Sequence, residues 1–402
     1  MNALATQRKF LIDVAKATFG ALQGEPSVLE TAGDAQPDAV EHLLEAALEW
    51  ARLEGASMGA EALEEVSAAE PYMPYNQTLS LLQSACEEYA KGGASLEVPF
   101  DANDPGWKEI AKQKLKAASL PKHAFAEHTS VTDFTYDLPE DAVVALFADW
   151  GTGEPTAQRV MQQIKACQPT HAIHLGDVYY AGTPEESREH FLDIIDKHGP
   201  SKQSCQYFAL PGNHDYYSGG YGYFDGILAA IGQEASYFNL RNSKWQLIGL
   251  DSAYDEYALH EPQLEWLKAQ VEGAGKPILL SHHQAFSPYD HRVTKSQLLK
   301  KTEALLPRVF AWFWGHEHRC VIMADHLGIK ARCIGHGGIP SIVPYGAPIF
   351  PDVPVTKVDE RAAPDTEGTC YHGFALLRFK GGSVDVSYID EYGNPFYEEP
   401  FE

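Results

Sequence analysis

Along residues 1 to about 125 the apolar positions recur at helical spacing, with Phe10, Leu11, Val14 and Ala17 forming one stripe and Val40, Leu43, Leu44, Ala47 and Leu48 another. Side chains three and four apart share one face of a helix, so the pattern predicts amphipathic helices and no strands. Two further helices are expected near residues 77–91 and 106–118, opening after Asn76 and at Asp104-Pro105, with Gly92-Gly93 as a stop between them. The texture changes at about residue 140. Short continuous apolar runs at 142–148, 171–175, 206–210, 276–280 and 308–314 now alternate with helical patterns at 155–166, 184–198, 261–272 and 295–305. A continuous apolar run is what a strand buried on both faces requires, and its alternation with helices predicts βαβ units and a largely parallel sheet. Two stretches differ: residues 235–250, broken by Arg241-Asn242-Ser243, and residues 374–389, broken by Gly381-Gly382, read as antiparallel hairpins. The expectation is therefore an all-α region over residues 1–125 and an α/β domain with mixed sheets over residues 126–402.

Composition limits what such a chain binds. Hydrophobic residues are 44% and charged residues 22% of the 402, as in ordinary globular proteins. The 56 acidic residues outnumber 31 basic ones, and a formal charge of -25 disfavours general nucleic-acid binding. A small phosphorylated substrate is still compatible, because a bound cation dominates the field in its own pocket. Cys86, Cys167, Cys205, Cys320, Cys333 and Cys370 form no CxxC pair, so reduced thiols are expected rather than a zinc knuckle or a disulfide framework. No apolar run suits a signal peptide or a membrane span, which gives a cytoplasmic expectation. The acidic helix faces before residue 125 read as solvated surface, with a docking site for a protein partner as the alternative.

Each apolar run ends in residues able to hold a metal or a phosphate: Asp149, then Asp177, then Asn213 and His214, then His282 and His283, then His316 and His318. One such residue alone is most simply a turn or a hydrogen-bonded structural group. Loops at the carboxyl ends of strands, however, converge on one crevice in α/β sheets, so five such endings together predict a metal site. Carboxylates and an amide oxygen mixed with imidazoles suit iron, manganese or zinc, and suit calcium poorly. The donors are too many for one ion. Two ions about 3.5 to 4 Å apart, bridged by a carboxylate, clamp both oxygens of a phosphoryl transfer, which makes phosphate ester hydrolysis the leading reaction.

The blocks Asp149-Trp150-Gly151, Gly176-Asp177-Val178-Tyr179-Tyr180, Gly212-Asn213-His214-Asp215, Ser281-His282-His283 and Gly315-His316-Glu317-His318, in this order, resemble the calcineurin-like metallophosphoesterases over roughly residues 140–340. The resemblance implies a four-layer α/β/β/α sandwich. Two features look like the purple acid phosphatase branch: Trp150-Gly151 stands where most relatives carry a histidine two residues after the aspartate, and Tyr180 lies three residues after Asp177. In that branch the tyrosine replaces the missing histidine. A phenol with a pKa of about 10 ionises at neutral pH only beside a strongly charged cation, which favours Fe(III) there.

Carried over residue by residue, the resemblance implies that Asp149, Tyr180 and His318 hold the first metal while Asp177 bridges both. Asn213, His282 and His316 would hold a second, Fe(II), Zn(II) or Mn(II). His214 would contact substrate phosphate, with Asp215 orienting its other ring nitrogen. His291 corresponds to an outer histidine that binds phosphate or protonates the leaving group, with an ordinary surface histidine as its alternative. His283 is read as a wall residue, Arg319 as a phosphate contact or a salt-bridge partner, and His336 as part of a structural glycine-rich turn. The implied mechanism is attack by a metal-bound hydroxide. Ala148 departs from the family, which usually has glycine before the first aspartate. A phosphomonoesterase is the leading function. The alternatives are a phosphodiesterase acting on cyclic nucleotides or phospholipid head groups, and a metal-bearing interaction scaffold with little catalysis.

Overall fold

The computed structural model describes Gln113 and residues 121–402 other than 256, 290–296, 342, 345–351, 365 and 367. The helical region expected over residues 1–125 lies outside the described residues except for Gln113 and residues 121–125, the latter not helical, and Cys86 and His291 also lie outside them. The two sheets and the residues at the ends of their strands belong to the compact unit formed by His123–Tyr216 and Gly220–Glu402.

The first strand after the short β1 (Thr135–Asp137) shows how the apolar runs are used. In β2 (Val143–Phe147), Val144 and Leu146 pack into one core layer while Ala145 and Phe147 pack into another. The two-residue period of a strand splits one continuous run between two faces. β2 pairs in parallel with β3 (His171–His174), which pairs in parallel with β4 (Gln206–Ala209). On the other side of β2 come β12 (Gly373–Lys380), β13 (Ser383–Asp390) and β14 (Pro395–Phe401), all antiparallel, giving a six-stranded sheet in the order β14-β13-β12-β2-β3-β4.

The second sheet has eight strands. The expected hairpin is present as β5 (Phe238–Arg241) and β6 (Trp245–Leu250). β7 (Lys276–Ser281) and β8 (Ala311–Trp314) follow in parallel, and β9 (Cys320–Met323), β10 (Lys330–Ile334) and β11 (Val355–Val358) complete the order β1-β5-β6-β7-β8-β10-β9-β11.

The two sheets share a core, in which Leu146, Ile173 and Phe208 of one meet Leu247, Ile278 and Phe313 of the other. Helices cover the outer faces. α1 (Pro155–Ala166) buries Ala157, Val160, Met161 and Ile164 at helical spacing against Phe147 and Phe374 of the six-stranded sheet. The helix Glu261–Val271 sets Leu264, Leu267 and Val271 against Leu279 and Trp312 of the other sheet. The result is the expected four-layer α/β/β/α sandwich with mixed sheets.

Three elements differ from the sequence pattern, two of them for local reasons. Residues 184–198 are helical, but Ser187–Leu192 within them is π-wound. The predicted helix at 295–305 is Gln297–Thr302 continued by a 3-10 segment, Glu303–Arg308, which contains Pro307 and so lacks an amide for the longer α-type bond. β14 forms although Pro395 and Pro400 argue against a strand, because it lies at a sheet edge, where proline is tolerated. That edge strand is tied to the opposite sheet. Arg332 of β10, buried, donates from Nε and Nη2 to both carboxylate oxygens of Glu399 at 2.6 Å, and the Tyr388 hydroxyl donates to Glu399 at 2.8 Å. Among the described residues no helix is long and apolar enough to cross a membrane.

Candidate metal centre

The carboxyl ends of β2, β3, β4, β7 and β8 deliver the candidate residues to one place. The first two loops run side by side, with the Asp149 amide donating to Gly176 O at 3.0 Å and the Gly151 amide donating to Asp177 O at 3.3 Å. Asp149, Asp177 and His316 have left-handed backbones, with φ of +52°, +76° and +65°. Such conformations cost a residue with a side chain about 1–3 kcal/mol, and they persist where the surroundings hold them. Here the surroundings are close-packed. A side chain at Gly212 would place its first carbon 2.0 Å from Asp177 Oδ1, and one at Gly315 would place it 2.5 Å from Asp149 Oδ2. The bare backbone at 315 also leaves room for the methyl group of Ala148, which explains why alanine is accommodated before Asp149.

One group of donors contains Asp149, Asp177 and His318, whose ligand atoms lie within 4.8 Å of one another. The Tyr179 hydroxyl sits among them, 3.1 Å from Asp149 Oδ1, 2.9 Å from Asp177 Oδ2 and 3.2 Å from His318 Nε2. A second group contains His282, His283 and His316. His282 Nε2 lies 3.1 Å from Asn213 Oδ1, 3.1 Å from His316 Nδ1 and 3.5 Å from the same Asp177 Oδ2. One carboxylate oxygen therefore faces both groups.

The electrostatics follow from burial. Burial opposes the charge on Asp177, but His282, His214, the His214 amide and the Tyr179 hydroxyl outweigh it and bring its carboxyl down to about 2. Burial, reinforced by Asp149 and Asp177, pushes the Tyr179 phenol well above its ordinary range. Burial and the neighbouring histidines hold His316 and His283 well below the usual imidazole value.

The donor set fits bound cations. His282 Nδ1 is 3.0 Å from the Leu175 carbonyl, which can only accept, so the neutral ring keeps its proton there and turns a lone pair at Nε2 towards Asp177 Oδ2 and Asn213 Oδ1. Acceptors facing acceptors in a buried site call for a positive charge between them. The groups present are oxygen and imidazole donors of the kind that iron, zinc and manganese take.

The structure brings Asp149, Asp177, Asn213, His282, His316 and His318 close to one another. Two residues differ. A hydroxyl at the first group is that of Tyr179, where the sequence reading places Tyr180; the backbone of Tyr180 donates its amide to Glu186 Oε1 at 2.6 Å and receives His214 Nδ1 at its carbonyl at 2.6 Å. Val178 is bridged to Gly151, and the residues on either side of it, Asp177 and Tyr179, come to the same side, a two-residue period that sequence could have suggested. Asp215 does not orient His214, whose Nδ1 is taken by Tyr180. Its Oδ2 instead accepts the amides of Gly212 at 2.7 Å and Asp177 at 3.0 Å, fixing the two loops that carry Asn213 and the shared carboxylate. Burial and the nearby Asp177 push the Asp215 carboxyl well above its ordinary range.

His214 has its ring 4.4 Å from that of Tyr179, with Nε2 3.9 Å from Asp177 Oδ2. His283 pairs with Ser252 through Nδ1 at 3.1 Å, and Arg319 lies over the Tyr289 ring at 4.3 Å. His336 is buried in a turn whose Gly337 amide donates to Ala148 O, a structural role. Tyr257, which the sequence did not single out, places its hydroxyl 2.6 Å from His316 Nε2.

A family model described as calcineurin-like phosphoesterase matches residues 142–320. No curated protein matches the sequence. Among solved structures the chain is similar to a purple acid phosphatase from yellow lupin (Lupinus luteus) seeds, with 15% identity and a TM-score of 0.47, over 65% of this chain and 54% of that one. It thus spans about half the length of the lupin protein, at 54%. It is also similar to the anchor in the inner membrane complex of Plasmodium, with 13% identity and a TM-score of 0.47, over 64% of this chain and 88% of that one. For a dimetal phosphatase from Danio rerio the identity is 12% and the TM-score 0.42, over 64% of this chain and 98% of that one. The matched span begins at the start of β2, ends just past His318 and holds all the donors described above in the order their strands present them, so over residues 142–320 this chain is similar to the calcineurin-like phosphoesterases.

Proposed function

We propose that this domain is a binuclear-metal phosphate ester hydrolase, specifically a phosphomonoesterase of the purple acid phosphatase type. The observation that carries the proposal is Asp177 Oδ2, which lies 2.9 Å from the Tyr179 hydroxyl on one side and 3.5 Å from His282 Nε2 on the other, as a bridging carboxylate must. Asp149, Tyr179 and His318 would hold the first ion, and Asn213, His282 and His316 the second. Two cations held there would supply positive charge for the phosphate oxygens and lower the pKa of the attacking water.

The chain's own groups do the rest. The Tyr179 phenol, held protonated by burial and by Asp149 and Asp177, would lose that proton to water only beside a strongly charged ion, which supports Fe(III) at its position and Fe(II), Zn(II) or Mn(II) at the other. His214 is anchored at Nδ1 by the Tyr180 carbonyl, so its ring cannot turn and Nε2 is fixed beside the shared carboxylate. There it is placed to contact a substrate oxygen and, when the ring is cationic, to protonate the departing alcohol. Burial opposes that charge and a bound phosphate dianion would restore it. The formal charge of -25 supports a small substrate over a polyanion. The free thiols of Cys167, Cys205, Cys320 and Cys333 support a reducing compartment such as the cytoplasm.

The test is hydrolysis of mono-aryl and bis-aryl phosphates by protein stripped with chelator and reloaded with iron and zinc. The expected result is metal-dependent turnover that favours the monoester and is lost in Asp177→Asn. Preference for the diester would move the assignment to phosphodiesterases, and firmly held metal with neither ester cleaved would make the domain a scaffold.

A further inference from the structure

His316 is held from both ends of its ring. Nδ1 lies 3.1 Å from His282 Nε2, and Nε2 lies 2.6 Å from the Tyr257 hydroxyl. Tyr257 comes from the loop between β6 and the helix Glu261–Val271, is buried, and packs its ring 4.1 Å from that of His283.

The proton count along this line is constrained. His282 donates from Nδ1 to the Leu175 carbonyl, so its Nε2 is a lone pair. Opposite a lone pair, His316 carries its proton on Nδ1, its Nε2 is bare, and the Tyr257 hydroxyl donates to it. With a cation between the two rings, His316 Nδ1 has to be the bare atom instead. Nδ1 would then lose its proton to water, the Tyr257 hydroxyl would pass its own to Nε2 and regain one from water, and the Tyr257 oxygen would end as the acceptor. A carbonyl or carboxylate in that place would serve only the loaded tautomer, and a backbone amide only the empty one. A hydroxyl serves both without moving the ring.

We propose that Tyr257 is the positioning residue of the second metal position: its hydroxyl lets His316 exchange tautomers as the ion binds and leaves, keeping the ring aimed at the site in both states. The inference rests on the binuclear reading above and concerns the affinity of one of its two ions.

The experiment titrates the full chain, stripped of metal, with Zn2+, comparing wild type with Tyr257→Phe, which keeps the ring against His283 and removes only the oxygen. The expected result is that the first ion binds as before while the affinity for the second falls by roughly 10- to 100-fold, the usual effect of losing such a partner. In parallel, 15N NMR of the imidazoles should show wild-type His316 protonated at Nδ1 when empty and at Nε2 when loaded, with the empty variant no longer holding a single tautomer. Unchanged affinity for the second ion, or a loss shared equally by both ions, overturns the role of Tyr257. A wild type that takes up no Zn2+ at all sinks the binuclear reading instead, so the two failures are distinguishable.

Discussion

Replacing Gly212 by alanine tests the placement of the shared carboxylate without touching any donor. The new carbon would stand 2.0 Å from Asp177 Oδ1, 2.7 Å from its Cγ and 2.7 Å from its backbone nitrogen. To open even a 3.0 Å gap, Oδ1 has to withdraw by 3.0 − 2.0 = 1.0 Å, or the loop bearing Asn213 has to move by as much. Neither move is free. Oδ1 accepts the His214 amide at 3.0 Å, and Asp215 clamps the amides of Gly212 and Asp177 together. Overpacking of this kind costs about 1–3 kcal/mol of stability, and losing a hydrogen bond to a charged acceptor adds about 1.5–3 kcal/mol. The larger effect is on turnover, because a misplacement of about 1 Å at a reacting centre costs on the order of 100-fold. Gly212→Ala should therefore remain folded but lose about two orders of magnitude in kcat, with a matching loss of retained metal by elemental analysis. Turnover and metal content within threefold of wild type would refute the described arrangement of Asp177 over Gly212.

Three further outcomes are expected. If Tyr179 is the phenolate donor, Tyr179→Phe should abolish the visible absorption of the iron-loaded protein while Tyr180→Phe leaves it intact, and the reverse result would restore the spacing-based choice. Glu391 is buried and its carboxyl is pushed up to about 7, by burial first, while the His372 amide and Arg159 act against the rise. The folded state thus keeps a proton that the unfolded chain releases near 4.5, so stability is lost as pH climbs from 4.5 through about 7. Glu391→Gln should raise the urea midpoint at pH 8 by an amount worth roughly 2–3 kcal/mol and change nothing at pH 4.5, and a pH-independent difference would count against this account. Glu399→Ala leaves the buried Arg332 guanidinium without its carboxylate and should cost about 3–5 kcal/mol in denaturant unfolding, whereas a loss below about 1 kcal/mol would mean that water reaches the pair.

The parts of the fold that are legible in the sequence are those in which a strand is buried on both faces. The apolar runs of β2, β3, β4, β7 and β8 cannot be anything but core, and the residues after them had to meet once the strands lay parallel in their sheets. β9 is four residues long and hides in what reads as loop after the last metal block, because so short a run carries little periodicity. At the site, the residue type at each strand end can be read and the direction of side chains beyond it cannot. Whether Tyr179 or Tyr180 reaches the carboxylates depends on how the chain continues past Asp177, and spacing measured against a family does not fix that. Adjacency in sequence assigns Asp215 to His214, but the Asp177 and Gly212 amides compete for its oxygen and take it. Tyr257 belongs to a loop with no pattern of its own, and only the distance to His316 gives it meaning.

Asp149, Asp177 and Asn213 follow strands of the six-stranded sheet, whereas His282 and His316 follow strands of the eight-stranded one. Ions gripped by both sets would act as rivets across the seam of the sandwich at that end. Loading would then stiffen the whole body as well as arm it, by about 2.7 kcal/mol when free metal is a hundred times the dissociation constant. Chelation would release that edge and let the two layers begin to part from the side where the chemistry is done.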